Sequence, residues 1–314
     1  MDTDEVWNMR QGKALRTVVI RLTTERLKEN VEILAATLRS EGVEVLTELP
    51  DTERDADCAC QEPGSRNGDS AWREPDGILY LTDDVNQLRI WQKCGLEGAV
   101  LLHEGNRLED FQGIMYALER VEELDREELE RIYRRLHGLP WRILETDRCV
   151  VREITVEDVD RLYEIYAEPS VTEYMDNLYA DREEEKSYTQ SYIRNMYGFY
   201  GYGMWIVEVK YSGRVIGRVG IEPCGEENEL GYVIAEPWRR LGIAYEVCRA
   251  VMKYGFEELG LDQISARVQR ENQPSKGLLQ KLGFQKHSET AESGAIMEKW
   301  ICRKDFFDFL QKTL

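Results

Sequence analysis

The residues best placed to do chemistry together lie in the second half of the chain. A carboxylate, Glu229, opens an apolar strand, Glu229–Ile234. The strand runs into a turn, Arg239-Arg240-Leu241-Gly242-Ile243-Ala244, and a long amphipathic helix begins at once behind it. Backbone N–H groups at such a helix start can hold an anion, such as the pyrophosphate of a nucleotide-like cofactor. Gly242 removes a Cβ where the backbone must approach a ligand. Arg239 or Arg240 could add charge-assisted bonds. Asn272 and Ser275 follow the next strand, where they either cap a second helix or contact the same ligand. Glu229 could accept a proton from a substrate, or serve in a structural salt bridge. By spacing alone the R-x-x-G-x-A turn is short, and a generic strand-turn-helix connection has the same form.

The elements that must position these groups are legible from periodicity. After Gly242, the residues Ala244, Val247, Cys248, Val251, Met252, Gly255, Phe256 and Leu259 recur at helical spacing, and Gly260 ends the run. Strand Gln263–Val268 precedes a helix over Pro274–Lys281. Gly283-Phe284 and a last strand near Ile296–Cys302 close the domain. Upstream, Cys149–Glu153 reads as a strand and Thr155-Val-Glu-Asp158 as a capping box that opens a helix carrying Val159, Leu162, Tyr163 and Tyr166. Strands Trp205–Lys210 and Val215–Ile221 form a hairpin over Ser212-Gly213. Between them and the helix, residues 174–205 are rich in aromatics.

The first half alternates differently. Thr17–Leu22, Val43–Leu46, Ile78–Leu81 and Ala99–Leu102 read as strands, with helices over Glu25–Ser40 and up to Gly95. Met115–Leu118 reads as a short final strand, and Leu124–His137 as a helix with Leu129, Ile132, Tyr133 and Leu136 inward. Such alternation implies a parallel sheet flanked by helices. Residues 50–76 read as a polar loop. Gly138-Leu-Pro140 is the expected boundary, giving domains 1–138 and 139–314.

Composition narrows the function. The chain has 314 residues and a net charge of −19, which argues against nucleic acid or an anionic membrane as partner. A local basic cleft is still compatible with that charge. The acidic start, Met1-Asp-Thr-Asp-Glu, has no apolar signal-peptide core, and no apolar run is long enough to span a membrane. Seven scattered cysteines fit free thiols in a reducing cytoplasm. Cys58-Ala-Cys60 reads as two loop thiols, because no second Cys or His pair lies nearby. No metal is expected.

The order strand, Arg239-x-x-Gly242-x-Ala244, long helix, strand, Asn272-x-x-Ser275, Lys281-Leu-Gly-Phe284 resembles the GNAT acyl-CoA N-acyltransferase family over roughly residues 142–304. Glu229-Leu-Gly-Tyr-Val-Ile and Asn272-Gln-Pro-Ser275 are similar to its ribosomal-protein N-terminal acetyltransferase branch. The resemblance implies a mixed-sheet α+β domain and acetyl-CoA as co-substrate. The pyrophosphate would lie on Arg239, Arg240, Leu241, Gly242, Ile243 and Ala244. Val233 and Ile234 would pair with the pantetheine arm, and Asn272 and Ser275 would face the thioester. Direct transfer to an amine follows, with Glu229 as base and Ser275 protonating the thiolate. Many family members carry a tyrosine acid four residues before the Gly of the GF pair, where this chain has Leu279. Tyr174, Tyr202 and Trp205 would line the acceptor pocket. The acceptor would be a protein N-terminus or a small molecule, in a chain compatible with a homodimer. A non-catalytic acyl-CoA sensor is the alternative.

The first half resembles the closing part of haloacid-dehalogenase-like hydrolases, a Rossmann-like parallel-sheet fold. Asp83 would match a metal-site aspartate of that family. Thr17–Leu22 lacks the nucleophilic D-x-D, and Gln87 stands where a second acid would be expected. A degenerate accessory domain is therefore favoured over one with residual phosphatase chemistry.

Overall fold

The computed structural model describes residues 14–48, 77–292 and 294–313. The acidic start, Cys58-Ala-Cys60 and the 50–76 segment lie outside the described residues. The chain divides into two compact units, Met1–Leu139 and Pro140–Leu314.

In the first unit β1 (Thr17–Arg21) leads through a 3-10 turn to α1 (Lys28–Ser40), then β2 (Glu44–Glu48). β3 (Ile78–Thr82), α2 (Val85–Lys93), β4 (Gly98–Leu101), β5 (Ala117–Leu118) and α3 (Arg126–Leu136) follow. The five strands pair in parallel, in the order β2-β1-β3-β4-β5. Parallel strands need crossover connections, and α1 and α2 supply those from β1 to β2 and from β3 to β4. β4 is buried on both faces, as a central strand covered by helices must be. α1 buries Val31, Leu34, Ala35 and Leu38 on one stripe.

Strand order reverses between β1 and β3, and open α/β sheets take ligands in that crevice. Here Asp83 fills it. One carboxylate oxygen accepts from the Thr23 N–H at 2.7 Å and its hydroxyl at 3.0 Å. The other accepts from the Thr24 N–H at 3.1 Å and its hydroxyl at 3.0 Å. Asn106 donates to the Asp83 carbonyl from the adjoining loop. The aspartate that the resemblance aligns with a metal-site residue is a staple between two loops. No group of three or more His, Cys, Asp or Glu suited to a metal occurs among the described residues. Asp83→Asn should lower stability by about 2–3 kcal/mol through lost charge-assisted bonds. Urea denaturation reads that loss, and added Mg²⁺ should leave the wild-type midpoint unchanged.

The second unit begins with a hairpin, β6 (Arg142–Glu145) and β7 (Cys149–Arg152). Three helices follow: α4 (Val159–Tyr166), α5 (Pro169–Thr172) and α6 (Arg182–Tyr192). α6 continues as a π-helix over Ile193–Tyr200. Then come β8 (Met204–Val209), β9 (Arg214–Cys224), β10 (Glu227–Ile234) and α7 (Ile243–Glu257). β11 (Gln263–Gln269), α8 (Gln273–Lys281), β12 (Gln285–Glu292), β13 (Ala295–Arg303) and α9 (Lys304–Thr313) complete it. One sheet runs β12-β13-β11-β10-β9-β8-β7-β6. Its pairings are antiparallel except β10 with β11. α7 packs on one face through Val247, Cys248, Val251, Met252 and Phe256. Gly255 lets it come close, since a Cβ there would meet the Ile221 side chain at 2.5 Å.

The Thr155–Asp158 capping box is present. Asp158 also meets both ends of the Arg152 guanidinium at 2.7 Å, while Arg152 Nε donates to Glu208 at 2.9 Å. All three side chains are buried. Removing the cation would strand two buried carboxylates. Arg152→Met should cost about 3–5 kcal/mol, measurable as a lowered denaturation midpoint.

Candidate functional site

β10 is fully paired with β9 from Glu227 to Ile234. With β11 it shares a single bridge, Glu229 to Ser265. Beyond that bridge the two parallel strands part. Ala235 donates its N–H to Ile216 on the β9 strand at 2.8 Å. Antiparallel alternation then turns the backbone groups of Gly231 and Val233 toward β9, and those of Leu230, Tyr232 and Ile234 into the gap. This corrects the expectation for Val233, whose backbone is spent within the sheet. The Ile234 carbonyl is taken by Arg239 Nε at 2.7 Å, so its N–H is the open group.

The turn at the end of β10 has the form of an anion nest. Arg240 has φ 59° and Gly242 φ 80°, both left-handed. For a non-glycine residue such as Arg240 this conformation costs about 1–2 kcal/mol, and such strain collects at functional sites. Alternating backbone signs point successive N–H groups to one side, at the N-terminus of a 15-residue helix. Ile243 is buried and anchors the turn to the core, while Leu241 and Gly242 are exposed. Arg239 does not face outward as expected: its guanidinium binds the Ile234 carbonyl and Ser170. Arg240 is exposed and forms no ion pair among the described residues. Arg148, which sequence reasoning missed, braces the turn. It donates to the Leu241 carbonyl at 2.8 Å and pairs with Glu246 on α7.

On the far side of the gap, Asn272 caps α8 by accepting from the Ser275 N–H at 3.1 Å. The Ser275 hydroxyl is free of that cap and lies 2.5 Å from the Tyr232 phenol. Burial, with the nearby Cys248, raises the Tyr232 phenol above its ordinary range, so it stays protonated. Leu279 is buried beneath. Tyr232 was missed because its partner lies 43 residues on.

The opposite sheet face carries carboxylates. Glu229 lies on β10 directly across from Glu222 on β9, which puts their Cβ atoms about 4.5–5.5 Å apart. Glu229 is held by Arg267 Nε at 2.8 Å, and that hydrogen bond raises the guanidinium's pKa. Glu222 accepts from the Tyr192 hydroxyl at 2.6 Å. Tyr202 donates to Asn228, beside Glu229, at 2.6 Å. Tyr174 is partly exposed, and hydrogen bonding to Glu173 raises its phenol. Trp205 corrects the expected pocket: it is fully buried on the α7 face, edge-on to Tyr254.

The family model for the acetyltransferase (GNAT) domain matches residues 148–285. The chain is 35% identical over 150 residues to the uncharacterized N-acetyltransferase YoaA of Bacillus subtilis, covering 46% of this chain and 83% of that protein. This chain belongs to the GNAT acetyltransferase family. Similarity to the uncharacterized N-acetyltransferase p20 of Bacillus licheniformis is 33% over 148 residues, with 46% and 82% covered. A solved GNAT acetyltransferase from Bacillus anthracis aligns with 52% of this chain and 98% of its own, at 20% identity and a TM-score of 0.45. Membership makes the protein an acyltransferase with an acyl-CoA donor. No helix of the described residues is long and apolar enough to cross a membrane.

Gly242→Glu should place a negative charge where the donor's phosphates would lie, at a cost of several kcal/mol. Affinity for an acyl-CoA donor should fall by about 100-fold or more in calorimetry. Gly242→Ala should lose about 1–2 kcal/mol of stability through its left-handed backbone.

Proposed function

We propose that this GNAT acetyltransferase takes acetyl-CoA as donor and transfers the acetyl group directly to a primary amine, of a protein N-terminus or a small molecule. The observation that carries the reading is the parting of β10 from β11 beyond Glu229, with an anion nest at the end of β10. Pyrophosphate would sit on the N–H groups of Arg240 to Ala244, with the Arg240 side chain alongside. The pantetheine arm would complete the open edge at Tyr232 and Ile234.

The amine attacks the thioester carbonyl carbon while both reactants are held together, which supplies much of the rate. An open β10 N–H would stabilise the oxyanion. As the C–S bond breaks, Ser275 would give its hydroxyl proton to the thiolate while taking one from Tyr232, with which it shares a hydrogen bond, and Tyr232 would recover its proton from water. Tyr232 would thus fill the part left open by Leu279. Glu229, paired with Arg267, would set the charge of the acceptor face, and Tyr174 and Tyr202 would border it. The first unit would serve as an accessory domain.

A non-catalytic acyl-CoA sensor is the second reading, favoured by Leu279 in the position of the family's usual tyrosine. Release of free thiol from acetyl-CoA, followed over N-terminal peptides, polyamines and aminoglycosides, separates the two. Turnover on at least one amine, with kinetics of a ternary complex, is the expected outcome. Donor binding without turnover on any amine would establish the sensor. Ser275→Ala should lower kcat by about 100-fold with unchanged acetyl-CoA affinity.

A further inference from the structure

Glu222 differs from its neighbour Glu229 in one respect. Glu229 has a guanidinium partner, whereas Glu222 forms no ion pair among the described residues and is held by a neutral phenol. The side chains sit across from each other at the point where β10 and β11 part. Both oxygens of Glu229 lie within hydrogen-bond distance of Arg267 Nε, at 2.8 and 3.0 Å. A carboxylate oriented by a hydroxyl keeps its second oxygen for a substrate.

The orientation is built with some care. α6 gives way to a π-helix at Ile193. On an ordinary helix, five residues turn the side chain about 140° away from its starting direction. With i to i+5 bonding, Tyr197 returns beneath Tyr192, and their rings meet edge-on at 5.7 Å. The two phenols then grip Met204. Its N–H donates to the Tyr192 hydroxyl at 2.6 Å, and its carbonyl accepts from Tyr197 at 2.5 Å. Accepting from Met204 leaves the Tyr192 proton directed at Glu222. Burial raises the Tyr192 phenol above its usual range, so it remains a donor. The groups facing Glu222 are Tyr192 and Tyr188 from the helix, Arg218 from its own strand and Glu229 from β10. The Arg218 Nε is buried and has no hydrogen-bond partner.

We propose that Glu222 is the proton acceptor for the incoming amine, with Tyr192 as its positioning residue. This rests on the reading that acetyl transfer occurs in the gap between β10 and β11. An ammonium N–H proton passes to a Glu222 oxygen. The freed nitrogen lone pair forms the N–C bond to the thioester carbonyl, the C–S pair leaves on sulfur and takes its proton from Ser275, and the nitrogen loses its second proton to water. Glu222 then returns its proton to water. The acceptor is accordingly an amine that arrives protonated.

The test compares two acceptors with the full chain, hydroxylamine and ethylamine. Hydroxylamine is unprotonated at neutral pH and needs no base, whereas ethylamine arrives as a cation. Glu222→Gln should cut kcat/KM for ethylamine by about 100-fold or more, and for hydroxylamine by less than a tenth as much. The ethylamine deficit should narrow as pH rises and solvent supplies the free amine. Acetyl-CoA affinity and melting temperature should match the wild type. Tyr192→Phe should show a smaller deficit of the same kind. An equal loss on both amines, or none on either, would overturn the assignment to Glu222 alone. Failure of the wild type to acetylate these two amines and every N-terminal peptide, polyamine and aminoglycoside tested, while binding acetyl-CoA, would overturn the transferase reading together with it.

Discussion

The second unit depends on two parallel strands that are allowed to touch once. β10 and β11 meet at Glu229 and Ser265 and then diverge. Backbone N–H and C=O groups left open at the centre of a sheet demand another partner. Their cost is tolerated because both strands remain paired on their outer sides, β10 with β9 and β11 with β13. The rest of the site follows from that gap. The anion nest closes one strand, the α8 cap follows the other, and Arg239 covers the Ile234 carbonyl that would otherwise stay open.

The pleat of β10 divides the chemistry. Tyr232 points to the helix face and meets Ser275, while Glu229 points to the other face beside Glu222. In the proposed reaction, proton delivery to sulfur and proton removal from nitrogen would fall on opposite sides of one strand. They are separated by backbone, so neither group can neutralise the other directly. A one-residue slip of β10 would exchange the two sets.

Legibility in the sequence followed locality. The α7 stripe, the capping box at Thr155 and the glycine turn ahead of α7 are written within a few neighbouring residues, and each is where the pattern puts it. β12 escaped notice because nearly all its side chains are exposed, leaving no apolar alternation. α9 was hidden behind the strand that runs directly into it. The π-helix has an aromatic composition that fits a loop equally well. Within the site, pairs such as Arg267 with Glu229 and Tyr232 with Ser275 lie 38 and 43 residues apart, beyond any spacing rule. Trp205 was misplaced because an aromatic on a strand can point either way until the register is known. Asp83 has a residue type that suits a metal, and only its four donors from Thr23 and Thr24 reveal a structural carboxylate.

β12 carries a consequence beyond its role as the last strand of the sheet. It leaves one long side free, the kind of edge on which a stray chain could nucleate a fibril. Its sequence, Gln-Lys-His-Ser-Glu-Thr-Ala-Glu, offers such a chain no apolar row to bury. A bulge between Lys286 and Ser288 also breaks the straight run of hydrogen-bonding groups. The strand that pattern reading could not see is hard to read for the same reason that it is hard to extend.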